Sequence, residues 1–519
     1  MLYFYEVRAE ISEKCQQLGE SAWSVRDAPI KNIFNAKSLS CYNSSMQEDT
    51  EANNETIIHR FPWKLAGSVY VMSYGLVVSF WGSYFWDDWG IYFSRSNIEI
   101  ADQFRRAGNP PYRSWIESTV LGNHPEMFRF GTLICYFACG WFIFKILQTL
   151  KFLKYEQTVF ITLIFLVLPI NSARVAMIDF SYGYSLALFY LGWYLGATRK
   201  SSLSYIAAVT LMLLSFGTTA SLIVFFVVPC CHWLFIQLTE SETNRRKSMA
   251  LFALVLSIAP IYWFLDRRIN APIGNSLQMY SLQKSGVFRS LILLLVAALI
   301  CLWYAKAGSR DRINGNRYLL ITLGTILVII GAAPYIVAGH LVDVSEWMFN
   351  FVPRASDWSS RHQLLLGFGF AVIIVGILGE LNSSFKRQLV FAIIGICVLL
   401  NATFMHAYFL DSIKQDQFID AIKQNTDLSA SKVIMIDDQA ERFNARGRFV
   451  RYYEWDSMFA SAYGNDTKHT ISGLSYVDCA SDLIPDTLLT ITAANGRLKA
   501  TLLRDIGINI GVTKIDPCP

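Results

Sequence analysis

Two adjacent carboxylates, Asp87 and Asp88, stand at the far end of the first long apolar stretch of the chain, residues 65–86. Trp86 and Trp89 flank them, and tryptophan favours the membrane–water interface. A carboxylate pair at that depth is costly unless it is solvated or partnered, so the pair is a candidate functional site. A simpler interpretation also fits the motif, in which a helix ends in polar residues where the bilayer ends.

Further groups suited to binding a substrate or its phosphate occur later in the chain, in other predicted outer segments. They are Arg174, Asp179, Arg354, Arg361 and His362. Arginine is the favoured residue for phosphate because its planar guanidinium donates two parallel hydrogen bonds. Each of these groups also has a structural interpretation: Arg174 can pair with Asp179, and the two later arginines can pair with Asp357 or extend to the interface.

No set of cysteines and histidines has the spacing of zinc ligands, so we predict no metal centre. Asp87 and Asp88 remain candidates for holding a divalent cation. No other cofactor is predicted.

The composition is that of a membrane protein with polar parts attached. Of 519 residues, 53% are hydrophobic and only 16% are charged. The net charge of +5 is modest and does not favour nucleic acid as a partner, whereas membrane lipid is an expected one.

We predict a mainly α, polytopic bundle of about eleven transmembrane helices, because that many apolar runs are long enough to span. The runs are 65–86, 128–150, 157–171, 178–198, 203–217, 219–238, 248–266, 287–306, 317–339, 363–381 and 388–410. The third and fifth are short, and Gly217 to Ser221 indicates a tight turn or a broken helix between the fifth and sixth.

Basic residues set the orientation. With a cytoplasmic N-terminus, every inner loop carries lysine or arginine, as the positive-inside rule requires. We therefore predict an integral membrane protein of a bacterial inner membrane, with an extracytoplasmic C-terminus.

Three regions follow from this pattern. Residues 1–63 form a polar cytoplasmic segment, partly disordered and without the charged and apolar stretches of a signal peptide. Residues 64–410 form the membrane domain, whose first outer loop, 87–128, has helical apolar spacing in two parts. Residues 411–519 form a small extracytoplasmic α/β domain.

The C-terminal domain opens with an amphipathic helix over 411–425, followed by a strand over 432–437 and a final strand over 505–512. Its two cysteines, Cys479 and Cys518, would both lie in an oxidising compartment, which predicts a disulfide between them.

Together, the Asp pair on the first outer loop, the surface helices of that loop, the later loop with Arg354 and Arg361 and the outer C-terminal domain resemble integral membrane glycosyltransferases of the C-type fold. That family uses polyprenyl-phosphate sugars as donors and includes O-antigen glucosyltransferases, protein mannosyltransferases and aminoarabinose transferases. Its acidic motif matches Asp87-Asp88, whereas the residues that follow depart from the phage-type enzymes, so no subfamily is assigned. The resemblance implies polysaccharide or cell-envelope biosynthesis.

The resemblance implies sugar transfer from a polyprenyl-phosphate donor to a glycan, lipid or protein acceptor. One carboxylate would act as general base on the acceptor hydroxyl, and arginines would neutralise phosphate charge. The two carboxylates point about 100° apart on a helix, so we expect only one at the reacting atom, and we prefer Asp88 as the residue facing the cavity.

Other classes remain open. A polysaccharide polymerase or ligase would use the same lipid-linked substrates on the same face. A multi-span transporter would place polar residues near the bilayer midplane and show repeats, and a membrane scaffold would scatter these residues. The sequence specifies neither sugar, acceptor, stereochemistry nor oligomeric state.

Overall fold

The computed structural model describes the chain from residue 60 onward, with gaps. The described residues are 60–89, 98–99, 101–102, 115–122, 124–150, 152–171, 173–199, 201–217, 219, 221–240, 245–270, 315–337, 363–380, 383–445, 448–464, 469–472 and 485–515. All but the last four residues of the predicted N-terminal segment, and the whole predicted span 287–306, therefore lie outside them.

The described part is mainly helical, with one small sheet near the C-terminus. Its α-helices are α1 (Trp63–Tyr74), α2 (Pro125–Gln148), α3 (Tyr155–Val167), α4 (Phe180–Thr198), α5 (Ser202–Phe216), α6 (Ser221–Phe225), α7 (Val227–Glu240), α8 (Arg245–Asn270), α9 (Gly315–Val337), α10 (Leu366–Ile377), α11 (Ser383–Lys423), α12 (Thr426–Ser429), α13 (Tyr452–Tyr463) and α14 (Arg497–Leu503).

Three of the described helices are long and apolar enough to cross a membrane: Pro125–Gln148, Arg317–Ile336 and Ser384–Lys423. Shorter apolar helices occupy several of the other predicted runs. At the predicted short spans 157–171 and 203–217, α3 has 13 residues and α5 has 15. The break expected near Gly217 is present, because α5 ends at Phe216 and α6 begins at Ser221.

Helix α3 ends early because the chain turns at Leu168, which is extended and precedes Pro169. The carbonyl of Val167, left without a partner in its own helix, accepts a hydrogen bond of 2.6 Å from the Asn401 side chain. A buried amide in the middle of α11 thereby completes the end of α3 and joins the two helices.

Helices α9 and α10 cross in close contact through glycines. A Cβ atom at Gly324 would lie 2.8 Å from the carbonyl oxygen of Gly369, too close for any other residue. Small residues at a crossing let two backbones approach, which is how apolar helices associate in a membrane.

The first apolar run is not a single α-helix. After α1, residues Gly75–Phe80 form a 3₁₀-helix, and the chain then turns at residues 81–89. In the outer loop that follows, residues 98–99, 101–102 and 115–116 are helical and Glu117–Leu121 form a π-helix, while the rest of the loop lies outside the described residues. The buried Glu117 carboxylate accepts a hydrogen bond of 2.7 Å from Ser181 and so holds this end of the loop against α4.

The C-terminal region has the α/β character that the sequence predicts. Its strands are β1 (Val433–Asp438), β2 (His469–Ser472), β3 (Thr487–Ala493) and β4 (Ile508–Lys514), in the spatial order β2-β1-β3-β4. β1 pairs in parallel with β2 and β3, whereas β4 is antiparallel to β3. The first four residues of the central strand β1 are buried, as is usual for a strand covered on both faces.

Helix α11 contains two predicted elements, the last span 388–410 and nearly all of the amphipathic helix over 411–425. The structure joins them in one helix that continues unbroken for 41 residues. At 1.5 Å per residue it is about 60 Å long, roughly twice the hydrocarbon thickness of a bilayer. No glycine or proline interrupts residues 401–423, so the apolar half runs directly into a polar half that carries the C-terminal domain.

Candidate functional site

The residues Phe85 to Trp89 form a tight turn with one strained position. Trp86 has a φ of 51°, and a bulky residue in the left-handed region is a genuine outlier. Its side chain is buried, and its backbone N–H donates a hydrogen bond of 3.1 Å to the Glu454 carboxylate. Such strain persists only where the surroundings fix it, and it clusters at functional sites.

Asp88 is completely buried and bound from two sides. One carboxylate oxygen accepts from the Met177 backbone N–H at 2.8 Å, and the other accepts from the Phe85 N–H at 3.2 Å. The Arg129 guanidinium lies 3.7 Å from the second oxygen. Burial raises the pKa of Asp88 to about 7, although Arg129 and the two N–H donors oppose the rise.

Arg129, which lies in α2, organises the start of the turn. Its guanidinium donates to the carbonyl oxygens of Trp81 and Ser83, and its Nε donates to Val175 at 2.8 Å. The Trp81 and Ser83 carbonyls follow the 3₁₀-helix Gly75–Phe80, and Arg129 joins them to the Val175 carbonyl of a later segment. The sequence signal for this role is a charged residue near the start of the second apolar run, 128–150.

Asp87 is the accessible member of the pair, because it is only half-buried. The hydroxyl of Tyr453 in α13 donates a hydrogen bond of 2.8 Å to it. Burial, followed by the neighbouring Asp87 carboxylate, raises the pKa of Tyr453, so the phenol stays protonated and keeps donating. The sequence favours Asp88 as the residue facing the cavity, but the structure buries its side chain completely and leaves the Asp87 side chain half-buried.

A buried ionic cluster attaches the C-terminal domain to this turn. Arg448 is almost fully buried, and its guanidinium contacts Asp411 at 2.6 Å and Glu454 at 2.5 Å. Its Cζ also lies 5.5 Å from the centre of the Trp86 ring. Although burial lowers the pKa of Arg448, the Asp411 and Glu454 carboxylates more than offset this and place it above its usual value.

The same Glu454 oxygen thus accepts from Arg448 and from the Trp86 N–H. This shared oxygen couples the strained turn to α11 and to α13. Sequence reasoning missed Asp411, Arg448 and Glu454 as site residues, because three positions this distant in sequence carry no spacing signal.

Arg174 and Asp179 belong to a second polar cluster beside α2. They do not pair directly: Asp179 accepts from the Asn171 amide at 3.1 Å and from the Tyr136 hydroxyl at 3.4 Å. The Arg174 guanidinium lies between two rings, 4.4 Å from the centre of Tyr74 and 4.6 Å from that of Tyr136. Cation–π contacts of this kind stabilise a buried cation, and the Asp179 carboxylate adds a longer-range attraction.

The Arg174 side chain is only 6% exposed. Even so, it forms no ion pair within 4.0 Å with any of the described residues. Beside it is a small pocket with space for little more than a water molecule. The pocket is lined by Tyr136, Phe165, Leu166, Ile170, Asn171, Arg174 and Leu364.

The two clusters are neighbours along α2. Asp88 lies beside Arg129 of α2, and the Arg174 guanidinium lies beside Tyr136 of the same helix. Tyr136 is seven positions after Arg129, which is about 10 Å along the helix axis. The structure therefore brings Asp88 against the 175–177 backbone and Asp179 against Tyr136, but neither Asp87 nor Asp88 lines the pocket at Arg174.

The remaining predicted groups, Arg354, Arg361 and His362, lie outside the described residues, as do Cys479 and Cys518. Among the residues that are described, no group of three or more His, Cys, Asp or Glu could hold a metal ion. The donors around Asp88 occupy both of its oxygens, which leaves Asp87 as the only member of the pair with an accessible carboxylate.

Comparison of the chain with protein-family models, with curated proteins and with solved structures finds no match.

Proposed function

We propose that this chain is a membrane glycosyltransferase, which moves a sugar from a polyprenyl-phosphate donor to a glycan, lipid or protein acceptor on the extracytoplasmic face. The observation that carries the proposal is the turn at Trp86 and Asp87. A half-buried carboxylate follows a strained residue there, at the end of the first apolar segment, and α2, the 175–177 backbone and α13 all hold the turn.

Asp87 is the general base. It accepts the proton of the acceptor hydroxyl while that oxygen attacks the anomeric carbon, and the bond from this carbon to the phosphate oxygen breaks. The leaving group is the polyprenyl phosphate, which takes the bonding electron pair. Tyr453 is a positioning residue, because its hydroxyl fixes one Asp87 oxygen and leaves the other for the acceptor.

Asp88 has a structural role in this scheme. With Arg129, it joins the turn to the 175–177 backbone, and so it sets where Asp87 stands. Preorganised supports of this kind decide whether a catalytic group is held within the fraction of an ångström that the reaction needs.

Arg174 supplies longer-range positive charge for the donor phosphate, because the pocket beside it has space for little more than a water molecule. It is buried without an ion pair among the described residues, about 10 Å along α2 from the level of Asp88. Arg354, Arg361 and His362 remain predicted phosphate-binding groups, and Asp179 orients Asn171 and Tyr136 beside Arg174.

The proposal includes the predicted membrane organisation: about eleven spans, a cytoplasmic N-terminus and an extracytoplasmic C-terminal domain in a bacterial inner membrane. The three long apolar helices and the further short ones support it. The 41-residue α11 supports it as well, since its apolar half can cross a bilayer and its polar half carries the domain outside.

The test is a transfer assay with radiolabelled polyprenyl-phosphate sugars, using the full chain reconstituted in lipid nanodiscs. Asp87→Asn keeps the shape and removes the base, so we expect the transfer rate to fall by roughly 10²–10⁴-fold, the typical contribution of a general base. Asp420→Asn, which changes an exposed carboxylate on α11, is the matched control and should transfer at the original rate.

Full activity of Asp87→Asn would overturn the assignment of the base. Absence of transfer by the unchanged protein from every polyprenyl-phosphate sugar would overturn the function itself.

One observation favours a transporter as the second candidate. Tyr136 lies at the midpoint of α2, so the cluster of Arg174, Asn171 and Asp179 is near mid-membrane depth if α2 spans. Ionisable groups at that depth mark substrate pathways in transporters. Solute uptake into proteoliposomes that Arg174→Ala abolishes and Asp87→Asn leaves unchanged would favour this alternative.

A further inference from the structure

Helix α14, in the C-terminal domain, exposes three leucines to its surroundings. Leu498, Leu502 and Leu503 are 75%, 74% and 59% exposed, whereas Ala500 on the opposite face is completely buried. Three exposed large apolar side chains on a seven-residue helix are a concentrated apolar surface, and such surfaces mark interaction sites.

The position of α14 along α11 shows what this surface meets. The Thr501 hydroxyl lies 2.9 Å from Nε2 of His406, so α14 packs beside that residue of α11. His406 is four residues before the end of the predicted span 388–410, which is about 6 Å along the helix. A helix lying in the membrane interface buries its apolar face by roughly 5–10 Å, the same depth.

The part of α11 that precedes His406 has a surface suited to lipid. Phe391, Ile396 and Leu399 are between 47% and 67% exposed and lie in the stretch that is apolar enough to span. The exposed leucines of α14 thus lie on an element that packs against a helix with exposed apolar side chains of its own.

The charges around α14 fit lipid headgroups. Lys499 is exposed between the leucines, and Arg504 is exposed directly after the helix, with its guanidinium 5.5 Å from the Phe409 ring of α11. Arg497 donates to the Arg442 carbonyl, and the nearest acidic residue along the chain, Asp505, accepts from Gln417. Long basic side chains at an apolar edge reach the phosphates of the interface.

We propose that α14 is a membrane anchor of the C-terminal domain. Its leucines enter the leaflet on the side of that domain, and Lys499 and Arg504 contact lipid phosphates. The anchor fixes the height of the domain, and with it Tyr453 and Glu454, relative to the bilayer. The proposal rests on α11 crossing the membrane and is independent of sugar transfer.

The test places a genetically encoded fluorescent amino acid at position 502 of the full chain, reconstituted in phosphatidylcholine vesicles. Acyl chains brominated near the headgroup quench a fluorophore that touches them. We expect emission at position 502 to fall at least about twofold in brominated vesicles relative to plain ones, because an interfacial helix reaches the upper acyl chains. The same probe at position 423, an exposed site at the polar end of α11, should not be quenched.

Equal emission at position 502 in brominated and plain vesicles would overturn the proposal. In that case, emission that changes with the number of protein copies per vesicle would identify a second copy of the chain as the partner of the leucines, and constant emission would leave them in water. Quenching at both positions would also contradict the proposal, because brominated lipid would then contact the polar end of α11 as well as α14.

Discussion

The two neighbouring carboxylates have different surroundings, although they differ by one position in sequence. Asp88 is buried among two N–H donors and Arg129, and Asp87 is half-buried with a tyrosine donor. In the proposed scheme, the accessible carboxylate of Asp87 is the base, and the buried carboxylate of Asp88 supports the turn.

The burial of Asp88 predicts a pH dependence of stability. Its pKa in the folded protein is about 7, above the ordinary 3.8, so ionisation costs free energy only in the folded state. This group therefore costs no stability below about pH 4 and destabilises the fold increasingly as the pH rises from about 4 to about 7. We expect the thermal unfolding midpoint to fall over this range, by an amount equivalent to a few kcal/mol.

Asp88→Asn is the control, because an amide does not ionise. The variant has a lower midpoint throughout, since its NH₂ faces the Arg129 cation or an N–H donor, but its midpoint should change less between these pH values. Parallel profiles for the two proteins would contradict the assignment.

At this scale, the sequence predicted the Asp pair, Arg174 and Asp179 as polar groups of interest, but it could not rank them. Whether Asp87 or Asp88 is accessible depends on Met177 and Tyr453, which approach from distant parts of the chain. Likewise, Arg129 was hidden within an apolar run, and only the three-dimensional arrangement shows the carbonyls that it binds.

Among the elements, α11 has the largest structural role. Its apolar half contributes Asn401 to the end of α3, and its polar half contributes Asp411 and Lys414 to the C-terminal domain. Strand periodicity predicted β1 and β4 well, because a short β-branched run is a local signal. The sequence does not show that one helix continues from the apolar stretch into the polar one. Composition changes at the junction, which suggests a boundary, whereas helix propensity does not change.

The contact between α11 and α13 through Arg448 predicts a large effect of one substitution. Arg448→Ala leaves Asp411 and Glu454 buried without their cation, and breaking a buried pair in this way costs about 3–5 kcal/mol. We expect a markedly lower unfolding midpoint and earlier proteolysis of the C-terminal domain. We also expect weaker sugar transfer, because Glu454 no longer holds the Trp86 N–H in place.

Lys423→Ala removes an exposed cation from the same helix and should change stability by less than about 0.5 kcal/mol. If Arg448→Ala were as stable as this control, the buried cluster would not be the attachment between the domain and the turn.

For the whole molecule, composition predicted a helical membrane protein with a small α/β domain, and the described residues have mainly helices, three of them long and apolar enough to span, and a four-stranded sheet. The number of spans is less accessible from sequence. The length of an apolar run does not give the length of its α-helix. The helices of two runs end early, one before Leu168 and one before Gly75. The predicted phosphate groups Arg354 and Arg361 stay predictions.

In the proposed reaction, a polyprenyl-phosphate sugar binds at the turn formed by Tyr84 to Trp89. Photocrosslinking can locate the donor, with a polyprenyl-phosphate sugar that carries a diazirine on the sugar and with the full chain in nanodiscs. We expect adducts on residues 84–89 or 452–454 that excess unlabelled donor removes, since these segments surround the Asp87 carboxylate. Adducts that the donor competes away only from segments at the opposite end of α2, around residues 149–155, or no competed adducts at all, would contradict this expectation.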